Sequence, residues 1–227
     1  MFLCLVMAHL VADFVLQTNK ICKDKAVKRW RSMYHYGHAL VVIGMSWLVT
    51  WNVYFWWFAL FIGVAHLTID ICKSYRDSKI VWFVLDQFIH LLVIAGVAYA
   101  WTSCHDWSLP FGVELWHVAA AVAMLVCWKP ANIFIKLILK HYSVNMPAEK
   151  DSGFNAGALI GTIERWLILI FVCIQRYDAL GLLIAAKSII RFSEKDTAKT
   201  EYVLAGTLLS IFIAVLAGMM VIRAYDV

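Results

Sequence analysis

Long apolar runs recur along this chain, and they limit its fold more than any other feature of the sequence. A helix that crosses a bilayer needs about 20 predominantly apolar residues, because the hydrocarbon core is about 30 Å thick. Of the 227 residues, 63% are hydrophobic and 15% are charged, which excludes an ordinary soluble enzyme. We therefore predict an all-α, polytopic transmembrane bundle of about eight spans. The spans lie near residues 1–17, 35–50, 53–72, 80–101, 113–128, 154–175, 179–192 and 202–222.

The basic residues alternate between loops and predict the orientation of these spans. Segments 18–34, 73–79, 129–153 and 191–199 hold 16 of the 20 lysines and arginines, and the intervening loops contain only Arg176. Because cytoplasmic loops are enriched in Lys and Arg, this pattern places both chain termini on the non-cytoplasmic side. The net charge is only +5, and no soluble domain is predicted, so we expect no nucleic-acid partner.

The first four runs carry pairs of ionisable residues that such apolar segments normally exclude. A charged side chain at the bilayer centre costs about 2.5–3.5 kcal/mol on insertion scales, so residues of this kind mark functional sites. Residues three or four apart share one face of a helix, and each run has one pair with that spacing. The pairs are His9 and Asp13, His35 and His38, His66 and Asp70, and Asp86 and His90. All four fall in the cytoplasmic half under the predicted topology.

We expect these eight side chains to hold a divalent metal. Imidazole and carboxylate ligands suit zinc, iron or manganese, and their number suffices for one or two ions. Mutual hydrogen bonding with proton relay, and the lining of a polar cavity, stay open as alternatives. Gln17, Lys73 and Gln87 lie near the pairs and are candidates to orient the ligands or to contact a substrate.

A second polar set lies in the other half of the chain. Lys187 and Arg191 share a helix face, where they either snorkel to the interface or hold an anionic lipid head group. Glu164, Arg165 and Glu201 are candidates to orient the ligands or to contact a substrate, and structural pairing stays open for Glu164. We predict two halves, residues 1–102 with the His/Asp pairs and residues 103–227 with this second set, within one integrated membrane domain.

Six segments carry a resemblance to a known family. They read AHLVADFVLQTNK, HLTIDICK, DQFIHL, IGTIERW, AAKSIIRF and EYVLAGTLLS. The chain resembles an uncharacterised family of bacterial integral membrane proteins that share a domain of unknown function. This resemblance implies a location in the bacterial inner (cytoplasmic) membrane and brings no activity with it. The His/Asp helices are also loosely similar to those of membrane-bound metal-dependent hydrolases.

These features favour a metal-dependent hydrolase that acts on a lipid, or a lipid-linked phosphate or ester, at the cytoplasmic leaflet. A bound metal would activate water, and Asp70 or Asp86 would act as general base. Lys187 and Arg191 would stabilise developing negative charge. The expected partner is a membrane lipid, and a homo-oligomer stays open.

Two other functions fit the same residues. The first is a metal-ion or proton transporter, although the predicted outer halves of the spans hold few of the ionisable residues that such a pathway needs. The second is a non-catalytic membrane sensor or scaffold, in which the polar pairs lock the bundle.

Overall fold

A computed structural model of the chain describes residues 1–77, 79–142, 156–191 and 197–226. These residues form helices joined by turns, and no strand occurs among them, so the all-α prediction is confirmed. The α-helices are α1 (Phe2–Leu10), α2 (Asn19–Lys28), α3 (Met33–Thr50), α4 (Trp56–Lys73), α5 (Ile80–Thr102), α6 (Leu115–Val126), α7 (Lys129–His141), α8 (Ala156–Cys173), α9 (Tyr177–Arg191) and α10 (Thr197–Tyr225).

Several of these helices are long and apolar enough to cross a membrane. Three candidates stand alone, at Val53–Lys73, Ile80–Thr102 and Val203–Tyr225. Two bent helix pairs also qualify when each is taken as one span, so the described residues supply three to five candidates. The histidines and tyrosines at the start of α3 lower its mean hydropathy. The described helices thus include several candidate membrane spans, as a multi-span protein requires, and the number eight stays a prediction.

The first apolar run ends in a sharp bend of the backbone. A π-helical segment, Val11–Leu16, continues α1, and Gln17 then adopts an extended conformation. The Thr18 hydroxyl accepts a hydrogen bond from the Ile21 backbone N–H and caps the start of α2. The axis of the chain turns by 89° at this point, and α2 is polar where α1 is apolar. Segments of π-helix are frequent at functional sites, and this one contains Asp13.

The chain divides into two compact units, Met1–Val118 and Ala119–Val227. The boundary lies within α6, whereas the predicted division falls after residue 102. In the first unit α3 packs against α1 and α4, and α5 packs against α1 and α4. In the second unit α10 packs against α7 and α8.

Helices α3 and α4 approach each other closely at Gly63. A Cβ atom at this position would lie 2.2 Å from Cγ1 of Ile43, so any side chain here would force the two helices apart. The absent side chain lets polar residues on α3 and α4 reach across to each other.

Candidate metal centre

All eight predicted metal ligands lie together in the first unit, in one buried group that we call the His/Asp cluster. α1 and its π-helical extension, α3, α4 and α5 each contribute one pair, as the helical spacing predicts. Every side chain in the group is nearly or fully buried. The His/Asp cluster consists of His9, Asp13, His35, His38, His66, Asp70, Asp86 and His90.

Three ligand atoms from three helices converge at the centre of the cluster. Oδ1 of Asp13 lies 3.1 Å from Nε2 of His38 and 3.3 Å from Nε2 of His66. The two Nε2 atoms are 3.1 Å apart. Tetrahedral ligands bound about 2.0–2.1 Å from a zinc ion are separated by about 3.3 Å. The three atoms therefore have the mutual spacing of ligands around one small cation.

The cluster contains enough ligands for more than one ion. Three groups have ligand atoms within 4.8 Å of one another, and two of those groups share no residue. The first of the two is His9, Asp13 and His66, and the second is Asp70, Asp86 and His90. Each offers three protein ligands, the number that leaves a coordination position open for water in catalytic zinc sites.

Five nitrogen and oxygen atoms of the cluster are buried without a hydrogen-bond partner among the described residues. They are Nδ1 of His9, both ring nitrogens of His35, Oδ1 of Asp86 and Nε2 of His90. His90 shows why such an atom is suited to metal. Its Nδ1–H donates to the Asp86 carbonyl oxygen at 2.8 Å, which leaves a lone pair on Nε2. Since buried polar atoms are nearly always satisfied, these five atoms need partners beyond the described residues, such as a bound ion or buried water.

Two lysines neutralise carboxylates at the edge of the cluster. Nζ of Lys25 donates to Oδ2 of Asp70 at 2.6 Å, and Nζ of Lys73 donates to Oδ2 of Asp86 at 2.6 Å. The Lys25 side chain is buried, whereas the Lys73 side chain is 40% exposed. Lys73 therefore marks the side on which the cluster meets its surroundings.

Lys25 contacts the cluster, and sequence reasoning did not predict this contact. It belongs to the basic segment 18–34, which the charge pattern assigns to a cytoplasmic loop. The break after Leu16 turns α2 back over the cluster and brings Lys25 to Asp70. No local pattern signals a contact across 45 positions.

The two glutamines near the cluster have different surroundings. Nε2 of Gln87 donates to Oδ2 of Asp86 at 2.9 Å, and its Oε1 lies 3.3 Å from Nε2 of His9. Gln87 therefore holds two of the cluster side chains in place. Gln17 instead accepts a hydrogen bond from the Cys22 thiol.

A small cavity of about 10 Å³ adjoins the cluster, which is room for one water-sized occupant. His9, His66 and His90 form its polar wall. Val42 and Ile94 are among the side chains of its apolar wall. Imidazole rings and aliphatic groups thus share the lining of a water-sized space beside the ligands.

The second polar set is largely occupied with internal partners. Lys187 donates to Glu164, so these two charges neutralise each other. The guanidinium of Arg165 is buried and donates to the Cys127 carbonyl oxygen, Asn132, Thr162 and Ser210. Glu164 thus makes the structural pairing that the sequence left open for it. Arg165 makes internal hydrogen bonds within the second unit. The side chains of Arg191 and Glu201 lie outside the described residues.

A bundle of apolar helices that buries paired histidines and aspartates defines a class: a helical membrane-type protein with a candidate metal centre. The chain belongs to the family described as "Protein of unknown function (DUF3307)", whose model matches residues 1–119. The match includes the whole first unit and all eight cluster residues. The resemblance to an uncharacterised family is therefore confirmed, and a similarity to metal-dependent hydrolases is not. No curated protein and no solved structure matches the chain.

Replacing Lys25 by methionine tests the Lys25–Asp70 pair. Removing one partner of a buried ion pair costs about 3–5 kcal/mol, because the remaining charge is left unpaired. We expect Lys25→Met to lower the melting temperature of the detergent-purified protein in the presence of a metal chelator. Lys23→Met changes an exposed lysine on the same helix and should melt like the wild type.

A double variant keeps this test specific. Lys25→Met combined with Asp70→Asn removes both charges and should recover much of the lost stability. Equal melting temperatures for Lys25→Met and the wild type would contradict a stabilising buried pair.

Proposed function

We propose that this protein is a membrane-embedded, metal-dependent hydrolase that acts on a lipid or a lipid-linked phosphate or ester. One observation carries the proposal: eight histidine and aspartate side chains converge in an apolar helical bundle, and five of their atoms lack a hydrogen-bond partner within the described ranges. Burying so many polar groups is costly, and a bound cation repays that cost by using their lone pairs.

The cluster fits a divalent ion chemically. Zinc, iron and manganese accept mixed imidazole and carboxylate ligands, and the two groups that share no residue support one or two ions. Such an ion supplies a Lewis acid and a water that is deprotonated near neutral pH.

Side chains of the protein would supply the general base and the cation that binds the substrate. In a one-ion site held by His9, Asp13 and His66, Oδ1 of Asp86 would not bind the metal. This buried oxygen has no hydrogen-bond partner among the described residues, so it is suited to accept a proton from water.

Lys73 combines a cationic head with partial exposure, so it is suited to hold an anionic substrate group. The sequence assigned this second role to Lys187 and Arg191. Both lysines are paired with a carboxylate, Lys73 with Asp86 and Lys187 with Glu164. Lys73 is the better candidate because it lies at the cluster and its side chain is 40% exposed.

We also propose the full predicted topology, with eight spans in the bacterial inner membrane and both termini on the non-cytoplasmic side. The alternation of basic loops supports this arrangement. Within the first unit, Lys73 and Lys25 both reach the cluster from segments that the charge pattern assigns to the cytoplasmic side. The substrate would therefore enter from the cytoplasmic leaflet.

Metal content measured by elemental analysis tests the proposal. The wild-type protein, purified in detergent and dialysed after exposure to zinc, iron or manganese, should retain one or two ions per chain. His66→Ala should lose most of this metal, because His66 belongs to two of the three ligand groups. His141→Ala changes an exposed histidine on α7 and should retain the wild-type amount.

Two further assays on the same preparations separate the candidate functions. A hydrolase releases product from lipid in vesicles, and this release should disappear in His66→Ala. Metal flux into sealed vesicles without lipid turnover would instead identify a transporter. Wild-type protein that retains no metal would overturn the proposal.

Native cysteines test the topology. Cys22 and Cys104 are both exposed, and the charge pattern puts them on opposite sides of the membrane. In variants that keep one of these cysteines alone, a membrane-impermeant maleimide should label Cys104 in intact spheroplasts. Cys22 should react only after permeabilisation. Labelling of both cysteines in intact spheroplasts would contradict the proposed orientation.

A further inference from the structure

An apolar groove lies between α4 and α5. It encloses about 570 Å³, a volume typical of small-molecule sites, which span about 300–1,000 Å³. Its walls include Trp57, Phe58 and Phe61 of α4 and Leu92, Gly96 and Val97 of α5. Both helices are candidate spans, so the groove faces the apolar part of the bilayer.

The groove neighbours the small cavity beside the His/Asp cluster. Val93 lines both the groove and the small cavity beside His66 and His90. From Leu92 to Ala100 the groove follows α5 over about 12 Å by helical rise. An elongated occupant can therefore have one end at the cluster and its length along an apolar wall.

Aromatic packing supports one wall of the groove. The ring of Phe58 packs edge-to-face on Trp101 and stacks on Phe55. Both of those partners are fully buried, so this wall is held in place from behind. The residues of α5 that line the groove extend over about 12 Å, which fits within one bilayer leaflet of about 15 Å.

Gly96 keeps the groove open. A Cβ atom at this position would meet no heavy atom within 4 Å, so packing against a neighbouring helix does not require glycine here. Glycine is a poor helix former in the interior of a helix, and α5 continues well beyond it on both sides. The missing side chain at Gly96 leaves space for an occupant of the groove.

We propose that the groove holds an acyl chain of an anionic phospholipid, whose ester or phosphate faces the His/Asp cluster. The inference rests on the proposed hydrolase and narrows its substrate to a lipid with a chain that ends within one leaflet. The apolar walls bind the chain, and Lys73 at the cluster supplies positive charge for the head group. Gly96 then acts as a specificity-determining residue, because its size sets which chains fit.

Photocrosslinking tests this assignment with the full-length protein in phosphatidylcholine vesicles. The probe is phosphatidylglycerol with a diazirine at the end of one acyl chain. We expect crosslinks on the groove-lining segments of α4 and α5. Gly96→Phe should lower their yield about tenfold, since a phenyl ring displaces at least two methylene groups of the chain.

A matched control and a second groove variant distinguish a local effect on the groove from a general effect of adding a phenyl ring to a helix. Gly44→Phe, on α3, also places a ring where no heavy atom lies within 4 Å, and it should leave the yield unchanged. Ala100→Phe shortens the groove from its far end and should lower the yield as Gly96→Phe does. Wild-type yields in both groove variants would overturn the proposal, as would crosslinks spread evenly over all apolar helices.

The remaining outcomes separate the groove from the hydrolase. Preferential labelling by a diazirine-bearing isoprenoid phosphate would overturn the acyl-chain assignment. An efficient disulfide between two copies of Ala100→Cys would overturn it in favour of a dimer interface. Groove labelling in a protein that retains no metal would support the groove and overturn the hydrolase. Metal retention without groove labelling would overturn the groove alone.

Discussion

The pairing of buried carboxylates with cations is the interaction on which the first unit depends. Asp13, Asp70 and Asp86 lie inside an apolar bundle, where an unpaired carboxylate is very costly to bury. Lys25 and Lys73 neutralise two of these carboxylates directly. The third faces imidazole nitrogens rather than a fixed cation. A divalent ion at that centre would complete the charge balance and would link the π-helical segment after α1 to α3 and α4.

The packing of the helices brings the side chains of this centre together. The close approach at Gly63 brings the polar face of α3 to that of α4, and the π-helical segment after α1 widens the helix where Asp13 points inward. The break after Leu16 then returns α2 to the cluster. Each of these features departs from a regular, straight apolar span. Together they bring the polar faces of four helices together, so that the ligand atoms on them become neighbours.

Much of the candidate site could be predicted from the sequence, because helical spacing is a local property. The pairs at i,i+3 and i,i+4 fixed which residues share a face, and their common depth predicted that the faces would meet. Lys25 could not be predicted, since its contact with Asp70 depends on a backbone turn and spans 45 positions. The internal partners of Arg165 were hidden for the same reason: they come from α7, α10 and the turn before α7. Composition predicted a membrane protein, but length and hydropathy alone recover fewer spans than the loop charges predict.

X-ray absorption spectroscopy of the metal-replete protein tests the central claim most directly, because it reports the atoms bound to the ion. The structure predicts a first shell of nitrogen and oxygen at about 2.0–2.1 Å for zinc, with the outer-shell scattering of imidazole rings. His66→Ala should weaken the imidazole signal. A shell of sulfur at about 2.3 Å, or a shell of oxygen without imidazole, would contradict a metal centre built from the His/Asp cluster.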